Sequence, residues 1–255
     1  MPLTAALLLL ADSRLPAGGH AHSGGMEAAT VAGLVDDMAG LEGFLRGRLA
    51  TAGMASAGLA AAACGHAAEV AAGAPACWAE LDAEAAARTP SPAQRTAARV
   101  QGRALLRAAR AAWPHPLLDS LAAGSGRAAD PAARGPAAPH HPIVLGVCAW
   151  ITGGTPGDAA LIAATGVVTS PASAAIRLLG LDPLAVTGLL ARLGPETAAA
   201  AAQAASAADP SGPDTTGAGT TGTGTRWAAL PAPASPGLDL LAERHAREEV
   251  ALFES

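Results

Sequence analysis

Asp12-Ser13-Arg14-Leu15-Pro16-Ala17-Gly18-Gly19-His20-Ala21-His22-Ser23-Gly24-Gly25-Met26-Glu27 interrupts an otherwise Ala- and Leu-rich chain. Two imidazoles and a carboxylate suit a borderline metal such as nickel or zinc, so His20 and His22 are candidate ligands with Glu27 nearby. A tight site needs a third and a fourth ligand, and the remaining His residues (His66, His115, His140, His141, His245) are scattered. The same residues also suit a hydrogen-bonded structural loop, with Pro16 and the glycines bending the backbone.

Other chemistry is limited by what is missing. The chain has no Lys, and all 16 of its basic residues are Arg. That excludes a P-loop, whose Lys meets the β- and γ-phosphates, and Lys Schiff-base chemistry. There is no G-x-S-x-G elbow, and no spacing joins Ser, His and Asp into a triad. A net charge of -5 does not favour general nucleic-acid binding. Cys64, Cys77 and Cys148 are odd in number and far apart, which fits thiols in a reducing cytoplasm rather than disulfides or structural zinc.

Arginine is the other candidate chemistry. Arg95, Arg99, Arg103 and Arg107 repeat every four residues, a spacing that suits a solvated outer face or contact with phosphate or an acidic partner. Gly102 lets another backbone approach beside Arg103. Arg177, within an apolar helical run, is expected to hold a buried ion pair. A guanidinium can also act in trans on a partner's nucleotide.

These residues must be positioned by helices. Ala-rich, aromatic-poor composition (51% hydrophobic, 2% aromatic) favours an all-α fold. We expect a single-domain helical bundle of about eight to ten helices. Leu3–Ala11 reads as a short buried helix, followed by a helix over Ser23–Val35. Asp36 or Asp37 caps the next, whose apolar face is Met38, Leu41, Phe44, Leu45 and Leu49 and which runs to about Ala72. A short helix follows over Ala76–Arg88. Ser91-Pro92 with Gln94 starts a helix that Pro114 stops. Further helices are expected at His140–Thr152, Asp158–Gly166, Pro171–Leu181, Pro183–Leu193 and Glu196–Ala208. The uncharged runs Leu49–Cys64 and Ala159–Ile176 read as bundle helices, not membrane spans. Residues 1–208 form the expected core, with a mobile loop near 123–139. Residues 209–236 read as a flexible Gly/Thr/Pro linker in which Trp227 docks locally, and 237–255 as a C-terminal docking helix.

The N-terminal run resembles the "DS-x-x-P-x-G-x-x-x-HS-x-G-x-E" signature of the urease accessory protein F family. Four more segments resemble that family in the same order: Gln101-Gly102-Arg103-Ala104-Leu105-Leu106, His141-Pro142-Ile143-Val144-Leu145-Gly146, Ser173-Ala174-Ala175-Ile176-Arg177-Leu178, and Ser235-Pro236-Gly237-Leu238-Asp239 with His245 and Leu252-Phe253-Glu254-Ser255. The family's Gly-Gln pair is replaced by Gly180-Leu181, its Glu after the C-terminal His by Ala246, and its Arg before Leu-Phe by Ala251. Its N-terminal aromatics are Leu15 and His20. Contacts made through that Gln and that Arg are therefore not carried over.

The resemblance implies an all-α, homodimeric, cytoplasmic accessory protein without a catalytic centre or tightly bound cofactor. It implies assembly with the urease accessory GTPase, the D/H-type accessory protein and, through them, the urease apoprotein, with nickel handled by the complex. Asp12, Ser13, Pro16, Gly18, Gly19, His20, His22, Ser23, Gly25, Glu27, Gly102, Arg103, Arg177, Asp239, His245 and Phe253 are the candidate partner-binding residues. The alternative from the residues themselves is a direct nickel carrier using His20 and His22.

Overall fold

Helix starts are written into the sequence as caps. The computed structural model describes residues 4–17, 22–124, 138–209 and 226–247. Thr4 caps α1 (Ala5–Ala11), and its hydroxyl also donates to Thr152 O at 3.0 Å. Asp37 accepts from Gly40 N at the head of α3 (Met38–Arg48). Ser91 accepts from Gln94 N and Pro92 opens α6 (Pro92–Ala112). Thr155 and Asp158 form a reciprocal capping box at α9 (Pro156–Leu179), and Asp182 caps α10 (Pro183–Ala207). Each such cap satisfies backbone N–H groups that have no partner within the helix.

The other helices are α2 (Met26–Val31), α4 (Met54–Ala71), α5 (Trp78–Ala87), α7 (Pro116–Gly124), α8 (His141–Ile151) and α11 (Pro236–His245). A π-helical turn, Leu49–Gly53, joins α3 to α4, with helical backbone at both junctions, so the two form one rod. The described residues contain no β-strand, and the chain is an all-α bundle.

Helix α4 is the centre. Its buried residues, among them Ala57, Leu59, Ala61, Ala63 and Cys64, lie all around it, which is the pattern of a helix enclosed by others. With α9 it divides two apolar clusters. One gathers α1, α5, α6, α7 and α8, including Trp78, Leu105, Leu118 and Ile143. The other gathers α2, α3 and α10, including Met26, Leu41, Leu45, Leu189 and Leu193. Small residues set the crossings. A Cβ on Gly146 of α8 would lie 2.2 Å from Ala60 O of α4. Helix α9 is apolar and long enough to cross a membrane, yet it packs against α4, α8 and α10 within the bundle.

Several elements differ from their sequence reading. Pro171 and Pro195 end no helix; each lies inside a long one. A proline removes one ladder bond and crowds the preceding turn, but the packing of these helices outweighs that local cost, and Pro171 is itself buried. Helix α1 is not buried all round: Leu7 and Leu10 point inward while Leu8 and Leu9 are exposed. Helix α2 starts at Met26 rather than Ser23, because Gly24 and Gly25 have left-handed φ of 60° and 83°. Of the expected loop near 123–139, residues 123 and 124 end α7, and 125–137 lie outside the described residues.

The expected linker also divides. Residues 210–225 lie outside the described residues, but 226–235 are packed. Trp227 and Leu230 are buried in the first cluster. Arg88 pairs with Glu84 and donates to Trp227 O at 3.1 Å, Leu230 O at 3.1 Å and Pro231 O at 3.2 Å. Arg226 pairs with Glu69 at 2.6 Å, lowering the pKa of that carboxyl.

Candidate functional site

The N-terminal loop and the C-terminal helix meet. Ser23 Oγ accepts from Glu27 N at 3.3 Å, fixing the first turn of α2. Glu27 is buried, and its Oε2 lies 3.3 Å from His245 Nε2 on α11. A Cβ on Gly25 would fall 4.0 Å from Leu238 Cδ2 of the same helix. Glu243, two residues before His245 and so on another side of α11, accepts from Ser91 Oγ at 2.5 Å and from Ala93 N at 2.9 Å, so α11 also covers the first turn of α6. Those bonds hold the Glu243 pKa below its usual value. Asp239, half-buried on α11, has its pKa raised by burial against a smaller lowering from Ser91 N–H.

Behind this seam lies a cavity of about 1060 Å³. Asp12, Ser13, His22, Gly25, Arg177 and Asp239 line it. Asp12 is tied to its own turn by Arg14, whose side chain holds the Asp12 pKa down at about 2. His141 faces the cavity too; burial first, and the proximity of His22 second, lower its pKa to about 4, so it is neutral at physiological pH. Among the described residues no three His, Cys, Asp or Glu side chains converge as metal ligands.

A buried charge network holds the cavity wall formed by His140 and His141. Asp82 of α5 is fully buried. Its Oδ1 accepts from His140 N at 3.0 Å and lies 2.8 Å from His140 Nδ1, while its Oδ2 accepts from Arg99 Nη1 at 2.9 Å. Arg99 also donates to Ala138 O at 2.5 Å. Burial alone would raise the Asp82 pKa, but the hydrogen bonds and charge of His140, with Arg99, hold it below the usual value. Gly102 permits this arrangement: a Cβ there would lie 2.0 Å from Pro139 O.

Two sequence expectations need correcting. Arg99 is not on a solvated stripe with Arg95, Arg103 and Arg107. Residues four apart on an α-helix drift by about 40° per step, so the four span about 120° and cannot share one environment. Arg99 is buried and Arg107 exposed, with Arg95 and Arg103 between them. Arg177 is exposed rather than buried, because the inward side of α9 at this point is taken by Ala174 and Ala175.

The structure therefore brings Ser23, Gly25 and Glu27 together with Asp239 and His245. Pro16 is exposed in the N-terminal turn, and Arg103 lies apart on α6. Gly18, Gly19, His20 and Phe253 lie outside the described residues. Sequence reasoning missed Asp82, His140 and Arg48. Arg48 was visible as a charge in an apolar stripe, three residues after Leu45 and seven after Leu41.

The UreF family model matches residues 35–194, more than half of the chain. The chain belongs to the UreF family. Relatives match it end to end. The urease accessory protein UreF of Mycolicibacterium vanbaalenii is 40% identical over 258 residues, covering 100% of both chains. That of Mycobacterium sp. (strain JLS) is 40% identical over 98% of this chain and 97% of its own. That of Mycobacterium marinum is 38% identical over the whole of both. The matched UreF segment holds Gly102, Asp82, His140 and Arg177, whereas the Glu27–His245 seam lies outside it but within the full-length matches.

Proposed function

We propose that this chain assists nickel insertion into the urease active site as a non-catalytic scaffold and regulator of the accessory GTPase. It acts in the cytoplasm as a homodimer, together with the D/H-type accessory protein and the urease apoprotein, and nickel is cargo of the complex. One observation carries the reading. The two segments that most resemble the family, around Glu27 and around His245, are more than 200 residues apart and form one seam. Glu27 and His245 are themselves buried, so their pair seats α11, and a partner that grips the exposed residues of both segments senses whether α11 is seated. The full-length similarity to urease accessory proteins supports the same role.

Co-purification with the accessory GTPase and the D/H-type protein, with and without GTP and nickel, followed by light scattering, tests it. A complex of defined mass is expected, and Glu27→Gln with His245→Ala should weaken it. No association under any condition would overturn the proposal.

A further inference from the structure

Arg48 occupies a position that an apolar residue should hold. Leu41, Leu45 and Leu49 are the buried stripe of α3, and position 48 falls on the same side. Interior guanidinium groups need partners. Arg99 has Asp82, and Arg88 has Glu84 and several carbonyls. Arg48 makes no ion pair and no hydrogen bond among the described residues, and its Nε is buried without a partner. Burial lowers its pKa to about 10, so it stays cationic at neutral pH.

The cation faces space. Arg48 lines the 1060 Å³ cavity beneath the Gly24-Gly25 turn. A Cβ on Gly24 would fall 3.5 Å from its Nη2 and one on Gly25 3.8 Å from its Nη1. Left-handed φ at both positions disfavours side chains there. Arg48 is also the last residue before the π turn, a feature that often marks functional positions. The acidic groups lining the cavity are engaged elsewhere: Asp12 with Arg14, Asp158 in the α9 capping box, Asp239 with Ser91 N–H. His141, neutral at physiological pH, adds no charge.

We propose that Arg48 anchors a binding site for a small, singly charged planar oxyanion of the carboxylate or bicarbonate class. The guanidinium fork presents parallel N–H donors that match two coplanar oxygens. One unpaired cation balances a monoanion, whereas a phosphate dianion would leave uncompensated charge in a partly desolvated cavity. This inference stands apart from the scaffold role.

Titration of the full chain with sodium acetate and sodium bicarbonate at fixed ionic strength and at about pH 8, where inorganic phosphate is mainly the dianion, by calorimetry and thermal shift, tests it. Sodium chloride and sodium phosphate serve as controls. Acetate or bicarbonate should bind saturably, one per chain, and raise Tm, while the controls do not. Arg48→Gln should weaken binding at least about tenfold and, without anion, melt no lower than the parent, since it removes a half-buried cation that has no partner among the described residues. Arg48→Lys keeps the charge without the fork and should bind several-fold more weakly, which keeps the test decisive if R48Q is unstable. No saturable response in the parent, equal binding by folded R48Q, or equal binding by R48K would overturn the proposal.

Discussion

Replacing Asp82 with Ala should be among the most damaging single changes in the molecule. It strips Arg99 of its carboxylate and leaves the N–H and Nδ1 of His140 without their acceptor, all in a water-poor interior. Removing one partner of a buried pair costs about 3–5 kcal/mol, a large share of the roughly 5–15 kcal/mol that holds a typical domain together. With a urea m-value of about 1–3 kcal/mol/M, the unfolding midpoint should fall by about 1–5 M. The double variant Asp82→Leu, Arg99→Met removes both charges, so part of that loss should return. What remains is the cost of leaving the N–H and Nδ1 of His140 and the carbonyl of Ala138 without partners.

Acid provides a second readout of the same network. The Asp82 pKa is lowered in the folded chain, so its contribution is present above the unfolded carboxyl value of about 3.9 and is lost as pH falls through the folded value. The double variant should lack that part of the acid sensitivity. A loss below about 1 kcal/mol in Asp82→Ala, or a double variant as unstable as the sum of its singles, would refute the reasoning.

Other expectations follow from packing. Gly146→Ala places a methyl 2.2 Å from Ala60 O and 2.7 Å from Ala63 Cβ, so α4 and α8 must part and stability should fall by about 1–3 kcal/mol or more. Gly166→Ala, helical with nothing within 4 Å of its Cβ position, should instead gain about 0.5–1 kcal/mol, and equal signs for the two in thermal melts would contradict the geometry. His245→Ala should raise amide hydrogen exchange over residues 236–246 while α4 stays protected; unchanged exchange in α11 would mean that the Glu27 contact does not hold it.

Helix starts were legible because their caps are local: Ser91-Pro92 with Gln94, and Asp37, satisfy their own N–H groups whatever surrounds them. Helix continuity through Pro171 and Pro195 was not, because tertiary burial decides whether a proline's local penalty prevails. The chemistry of Glu27 and His245 was visible residue by residue, but their pairing was not. A contact across most of the chain depends on how the intervening helices pack. The Asp82 network failed to show for a related reason. Nothing about Asp82 or Arg99 marks them out from neighbouring charges until α5, α6 and the start of α8 converge.

The alanine-built interior around α4 has a consequence for how this molecule tolerates change. Alanine has no rotamers, so where Ala57, Ala60, Ala61 and Ala63 meet their neighbours no side chain can swing aside to absorb an added methyl group. Most cores are vulnerable to hollowing, because they are filled by large residues that can be truncated. At these alanines little can be truncated, and the hazard there lies in overfilling, whereas the large residues that flank them, such as Leu41, Leu105 and Leu189, stay open to hollowing. Substitutions from alanine to valine or leucine along α4, conservative by chemistry, should be the ones that drift cannot accept, and the spacing of the surrounding helices is held fixed as a result.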